Sequence, residues 1–315
     1  MRLLFACILL MANPAFAQMS PGMGQRPTSP PGVPTMQPQS PDAISQSDTN
    51  EPTGATHSDV VYGKIGHDKL RLDIYLPKAR HEAPQPAVIL IHGGTWIAGD
   101  KSDLAKIARW LQKNDYVVFN INYRLFDGGK HNTWPAQLDD AQRAVRWVRA
   151  NATKYNVDPR KIGAWGYSSG AQMAALLGEM DTRDNSDAAL AAYPSRVQAV
   201  VAAACPCDLT RDRDKDGDKF FSKLLGASFE QNPKIWQDAS PAFRVSQDTA
   251  PFLLIHGTRD TDVPLAQAEE MAAALDKAGV AEQLIKVDDD HGLATAAAEH
   301  KLAAESLAFF NRTLR

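Results

Sequence analysis

The junction Gly166-Tyr167-Ser168-Ser169-Gly170 constrains this chain more than any other feature, because an apolar run at 161–166 enters it and a small-residue stretch suited to a helix leaves it. A strand that becomes a helix within so few residues brings backbone close to backbone, and a glycine at each end removes side chains that would collide. The helix must then fold back onto the sheet that holds the strand. That is the repeating unit of an α/β architecture with a mostly parallel sheet.

The rest of the chain keeps the same rhythm. Runs at 60–65 and 70–76 predict an opening antiparallel pair, and runs at 87–91 and 116–121 predict two further strands. Between the latter, Ser102 or Asp103 is placed to cap a helix reaching about residue 113, with Leu104, Ile107, Ala108 and Leu111 at helical spacing. Pro135 opens a longer helix with Leu138, Ala141, Val145 and Val148 on its inner face. The continuous apolar run at 197–204 predicts a buried parallel strand. Strands at 252–256 and 283–287, with helices at 264–278 and 295–310, complete the alternation. Residues 206–248 break it with charge and scattered aromatics, and predict a small lid-like insertion between two sheet strands.

Ahead of this domain, Met1 and Arg2 precede an apolar run at 3–11, and Ala15-Phe16-Ala17 precedes Gln18. That is the pattern of a signal peptide at 1–17, and it predicts export to the periplasm or beyond. The run is too short for a stable membrane span. Residues 18–58 read as a linker, dense in Pro, Ser, Gln and Met and too poor in bulky apolar groups to offset chain entropy. The catalytic domain is expected over 59–315. Without residues 1–17, Cys205 and Cys207 are the only thiols, and with Pro206 alone between them they read as small apolar residues at a strand end. A net charge of -3 without long like-charge runs offers no electrostatic reason to bind nucleic acid.

The serine at the junction is a candidate nucleophile. Serine is a weak one at neutral pH, so it needs a base to take its proton and a carboxylate to orient that base. Chain order on such a sheet is serine, acid, histidine. His291, trailed by Gly292 after the last strand, is the candidate base, whereas His300 falls within the final helix pattern. Asp260 follows the strand at 252–256 and is the candidate acid, with Asp262 the alternative. The turn Ile91-His92-Gly93-Gly94-Thr95-Trp96 follows an earlier strand. Its backbone N–H groups, together with that of Ser169, suit an oxyanion hole.

These four ordered motifs resemble the esterase and lipase branch of the α/β-hydrolase superfamily. More narrowly they resemble the group of acetyl and feruloyl carbohydrate esterases and kynurenine formamidases, with similarity running from about Val60 onward and including Asn122-Tyr123-Arg124 and Ala239-Ser240-Pro241. The resemblance implies that Ser168 attacks the carbonyl, His291 shuttles the proton and Asp260 holds the imidazole. It implies oxyanion donors at Gly94, Thr95 and Ser169. No cofactor is expected for the hydrolysis. Many relatives carry a third glycine where this chain has Thr95. Few carry acids as crowded as Asp288-Asp289-Asp290 before the histidine, a crowding that predicts a pull toward the imidazolium form.

Trp96 and Tyr167 adjoin the motifs and are the candidate pocket residues. Asp212, Asp214, Asp216 and Asp218 match the first half of a calcium loop, but Lys223 stands where its closing glutamate belongs, so a solvated loop is the preferred reading and no metal is expected. The function read from the sequence is serine ester hydrolysis, on short-chain acyl or feruloyl esters of small molecules or polysaccharide. An amide or peptide hydrolase using the same triad, and a silent hydrolase fold that binds a partner, are the two alternatives. Oligomeric state is not legible.

Overall fold

The computed structural model describes residues 54–79, 81–182, 187–212 and 214–315. The leader at 1–17 and residues 18–53 of the linker lie outside them. Eight strands form one sheet: β1 (His57–Ile65), β2 (Asp68–Tyr75), β3 (Gln85–Ile91), β4 (Val117–Ile121), β5 (Val157–Tyr167), β6 (Ala199–Ala203), β7 (Phe252–Gly257) and β8 (Glu282–Val287). Their order is β1-β2-β4-β3-β5-β6-β7-β8. β2 pairs antiparallel with β1 and β4, and all pairings from β4 to β8 are parallel. The opening antiparallel pair is where the sequence placed it. The linker ends sooner than residue 58, since His57 already pairs with Ile74.

Helices α1 (Ala105–Lys113), α2 (Ala136–Ala150) and α3 (Ser169–Glu179) follow β3, β4 and β5; α4 (Lys215–Leu225) and α5 (Pro233–Asp238) follow β6, and α6 (Leu265–Lys277) and α7 (Ala296–Leu314) follow β7 and β8. The central strands are buried on both faces, which explains their unbroken apolar runs. In β3, Ala87, Ile89 and Ile91 pack in the core that holds Leu138 and Val145 of α2 and Met173 of α3. Val88 and Leu90 face the other way, into the core with Leu111 of α1 and Phe310 of α7. Strand alternation thus divides the helices between two faces.

Three local features refine the sequence reading. The cap before α1 is Asp100, whose carboxylate accepts from the Ser102 N–H while Asp103 accepts from the Asp100 N–H, so the first turn is a tight 3-10 helix starting at Lys101. The helix opened by Pro135 begins at Ala136, after a cis Trp134-Pro135 bond. The insertion contains α4 and α5 where loop was expected. Phe221 of α4 meets Trp96 edge-on at 5.7 Å, and Phe220 meets Phe126 at 6.3 Å, so apolar anchors hold α4 against the turn after β3 and the segment after β4.

That helix also replaces the solvated loop expected over 212–218. Asp214 caps α4, accepting from the N–H groups of Asp216 and Gly217, while Asp216 and Asp218 lie in its first turn. Helical rotation of about 100° per residue spreads these carboxylates instead of converging them. Asp212 accepts from the Gln267 amide. Among the described residues no group of three or more His, Cys, Asp or Glu is placed to hold a metal ion. Cys205 and Cys207 are free and buried.

The strand-to-helix junction is as tight as its glycines imply. A Cβ on Gly166 would strike the carbonyl of Gly170, and one on Gly170 would strike the carbonyls of Ile91 and His92. Gly170→Ala is therefore expected to cost about 3 kcal/mol, because α3 must leave β3 to admit a methyl group. Urea unfolding would show it as a lowered midpoint at unchanged slope; a midpoint equal to the parent's would mean that α3 can back away freely.

Candidate active site

Ser168, Asp260 and His291 come from the ends of β5, β7 and β8, and the fold brings them into contact at the carboxyl edge of the sheet, where open α/β sheets place their sites. The tight junction holds Ser168 at φ 53°, ψ -122°, a crowded conformation that a residue with a side chain adopts only under constraint. Its N–H donates to the Ala203 carbonyl, 2.9 Å away, which pins the turn to β6. Ser168 Oγ lies 3.0 Å from His291 Nε2, and His291 Nδ1 lies 2.8 Å from Asp260 Oδ2.

Partner chemistry assigns the protons: the carboxylate only accepts, so Nδ1 donates to it, leaving Nε2 to accept from the serine hydroxyl. Asp260 Oδ1 accepts two backbone N–H groups, from Asp262 at 3.0 Å and Val263 at 2.8 Å. Burial alone would raise the Asp260 pKa, but the hydrogen bonds from His256, His291 and Val263, with the His291 charge, outweigh it and hold the carboxyl far below the ordinary carboxylate range. Asp262, the alternative acid, contributes its backbone N–H to this cradle instead. His300 is exposed on α7 and, among the described residues, takes no part in the hydrogen bonds of the trio.

The loop carrying His291 is shaped by the three acids before it. Asp289 accepts from the Asp290 N–H and from both the N–H and hydroxyl of Thr295, and the Thr295 N–H, foremost, keeps its carboxyl below the ordinary range. Asp290 accepts from the Gly292 N–H, and Asp288 pairs with Arg259 at 3.4 Å. These carboxylates are engaged in folding the loop, and the one that touches the imidazole is Asp260.

The turn after β3 packs directly on the nucleophile: a Cβ on Gly93 would lie 3.2 Å from Ser168 Cβ. Gly94, Thr95 and Trp96 all have positive φ, 109°, 54° and 60°. Thr95 thus occupies a left-handed position that suits glycine. Neighbours hold this strained turn. Tyr123 stacks on the His92 ring at 4.3 Å and donates to the carbonyls of His92 and Gly93 at 3.2 and 3.3 Å. The Ser169 N–H lies in the first turn of α3, where helix geometry supplies no acceptor.

The two candidate pocket aromatics have other placements. Trp96 is only 2% exposed, and its indole N–H points to Gln172 of α3 at 3.3 Å, so it is a wall between α3 and α4 with almost no open face. Half-buried Tyr167 donates to the His291 carbonyl at 2.6 Å and so braces the histidine loop. Sequence reasoning missed His256 as a partner of Asp260 and Tyr123 as the brace of the glycine turn. The only available signal was their position, His256 at a strand end four residues before the acid and Tyr123 just after β4.

The BD-FAE family model matches residues 72–275, well over half of the chain. The chain belongs to the BD-FAE family. Among relatives of this BD-FAE chain, esterase LipQ of Mycobacterium tuberculosis is 32% identical over 236 residues, 72% of this chain and 54% of LipQ. The chain spans about half the length of the curated relatives it matches. A truncated carbohydrate esterase from gut microbiota superposes with a TM-score of 0.69 at 28% identity, covering 81% of this chain and 95% of its own. The butyrate-bound Est2 esterase of Thermogutta terrifontis gives 0.72 at 25% identity, covering 83% and 95%. The fold of this BD-FAE chain is accordingly that of the α/β-hydrolases. Among the described residues no helix is long and apolar enough to cross a membrane.

Proposed function

We propose that this BD-FAE chain is a serine carboxylic ester hydrolase acting on short-chain acyl esters, acetyl foremost and feruloyl next, carried by carbohydrate. The observation that carries the reading is the continuous relay Ser168 Oγ to His291 Nε2, 3.0 Å, and His291 Nδ1 to Asp260 Oδ2, 2.8 Å. Ser168 Oγ attacks the ester carbonyl carbon as its proton passes to His291 Nε2. The carbonyl π electrons move onto oxygen, which the N–H groups of Gly94, Thr95 and Ser169 stabilise. Collapse expels the alkoxide, and the imidazolium gives that leaving group its proton. Water then repeats the sequence on the acyl-serine, releasing the acid and restoring the hydroxyl. Asp260 remains ionised throughout and stabilises the imidazolium.

An intact relay argues against a silent binding role. Support for the substrate class comes from two neighbours, one a carbohydrate esterase and one seen with butyrate. The signal pattern at 1–17 supports action after export, which cell fractionation of the full chain would test. On p-nitrophenyl acetate, butyrate and octanoate, kcat/KM is expected to fall along the series, with octanoate about tenfold or more below acetate if the site is built for short acyl groups. A rise toward octanoate would overturn the short-chain assignment. No turnover of any ester by folded protein, with hydrolysis of a p-nitroanilide, would move the reading to amides.

A further inference from the structure

Asp260 is held by two imidazoles, of which the relay uses one. His256, the penultimate residue of β7, is 1% exposed, and its Nε2 lies 2.8 Å from the Val263 carbonyl and 3.2 Å from Asp260 Oδ2. Both partners only accept, so Nε2 carries the proton and shares it between them, while Nδ1 is buried without a partner. The contacts close a ring: Val263 gives its N–H to Asp260 Oδ1 and takes the His256 N–H on its carbonyl, and the same N–H reaches Asp260 Oδ2. Oδ2 is also the oxygen that accepts from His291 Nδ1.

We propose that His256 is a positioning residue for the acid of the relay, fixing the rotation of the Asp260 carboxylate and sharing with His291 the oxygen that orients the base. This rests on the serine reading above. The carboxylate could otherwise turn about its Cβ–Cγ bond, and each turn would move the acceptor away from His291. Two N–H groups on Oδ1 and the His256 N–H on Oδ2 define one rotation, in which Oδ2 faces His291. A carboxylate so fully donated to is also a weaker proton acceptor, so the proton taken from Ser168 stays on His291 for the leaving group. The reach of the donor matters: glutamine can place its side-chain N–H near the position of Nε2, whereas asparagine can place one only near Nδ1.

The test compares the purified chain with its His256→Leu, His256→Gln, His256→Asn and Ser168→Ala variants. The measurements are kcat and KM on p-nitrophenyl acetate, thermal melting, and the low-field proton resonance of the His291 Nδ1–H. Removing the donor with leucine is expected to lower kcat about tenfold at unchanged KM, the scale of one hydrogen bond to a charged group. The resonance should shift or broaden, glutamine should recover most of the loss, and asparagine should not. If leucine leaves the protein unfolded, the contrast of glutamine with asparagine decides. Equal rates for those two, or leucine activity equal to the parent with the resonance in place, would overturn the proposal. Turnover that survives Ser168→Ala would overturn the serine reading itself and this one with it, a result distinct from a dead Ser168→Ala beside indifferent His256 variants.

Discussion

Ser168→Ala is expected to lower kcat on p-nitrophenyl acetate by about 10⁶-fold while KM stays near the parent value. The alanine variant keeps the fold, because the strand-to-helix turn is set by Gly166, Gly170 and the Ser168 N–H bond to Ala203, none of which uses the hydroxyl. It keeps the glycine turn packed on the nucleophile and the Ser169 N–H, so substrate binding and oxyanion stabilisation survive, and a slow residual hydrolysis by water remains. What disappears is the oxygen 3.0 Å from His291 Nε2 that the proposed mechanism uses to form the acyl bond. Mass spectrometry after mixing with a slowly hydrolysed ester should find the acyl adduct on the parent and none on the variant. A rate within tenfold of the parent would place the nucleophile elsewhere.

Asp260→Asn is expected to lower kcat about 10⁴-fold, more than the loss of a charge alone would suggest. The reason lies in the cradle around Oδ1. The backbone N–H groups of Asp262 and Val263 require an acceptor there, so the asparagine oxygen takes that position and its NH₂ turns toward His291 and His256. A donor facing His291 Nδ1 makes that nitrogen an acceptor, the imidazole proton moves to Nε2, and Nε2 can no longer take the proton of Ser168. Asp260→Ala, which imposes no tautomer, should be the less damaged of the two. Equal rates for both variants would show that charge, and not tautomer, is what Asp260 supplies.

The same carboxylate carries a pH signature. Its folded pKa is depressed, so its contribution to stability is present above the unfolded value of about 3.9 and is lost as pH falls through that value toward the folded one. The melting temperature of the parent should therefore exceed that of Asp260→Asn near neutral pH, and the gap should narrow below about pH 4. A gap that is constant from neutral to acid would mean that the carboxylate gains nothing from its cradle.

Much of this protein was legible in the chain alone. Gly166 and Gly170 announced the junction because no other residue fits where backbone meets backbone, and the unbroken apolar runs of β3, β6 and β7 announced a sheet buried on both faces. Ser168 and His291 followed from chemistry and chain order. The sequence favoured Asp260 but kept Asp262 as the alternative, since both follow the same strand, and only folded geometry shows which carboxylate meets the imidazole while the other residue lends its N–H. Trp96 and Tyr167 looked like pocket residues because they adjoin the motifs, yet adjacency in sequence does not say where a side chain points; positive φ at Trp96 turns its indole toward α3, and the reach of Tyr167 ends at the His291 carbonyl. The acidic stretch at 212–218 read as a solvated loop because the charges alternate and Lys223 breaks the calcium-loop pattern, and helix formation decided otherwise by capping with Asp214 and taking Asp216 and Asp218 into the first turn of α4. Composition and spacing determine which residues can do chemistry, since bond-making groups and glycine tolerances are local properties. The partners of each atom, His256 on Asp260 above all, were decided by strands that lie far apart in the chain and become neighbours only through packing of the sheet.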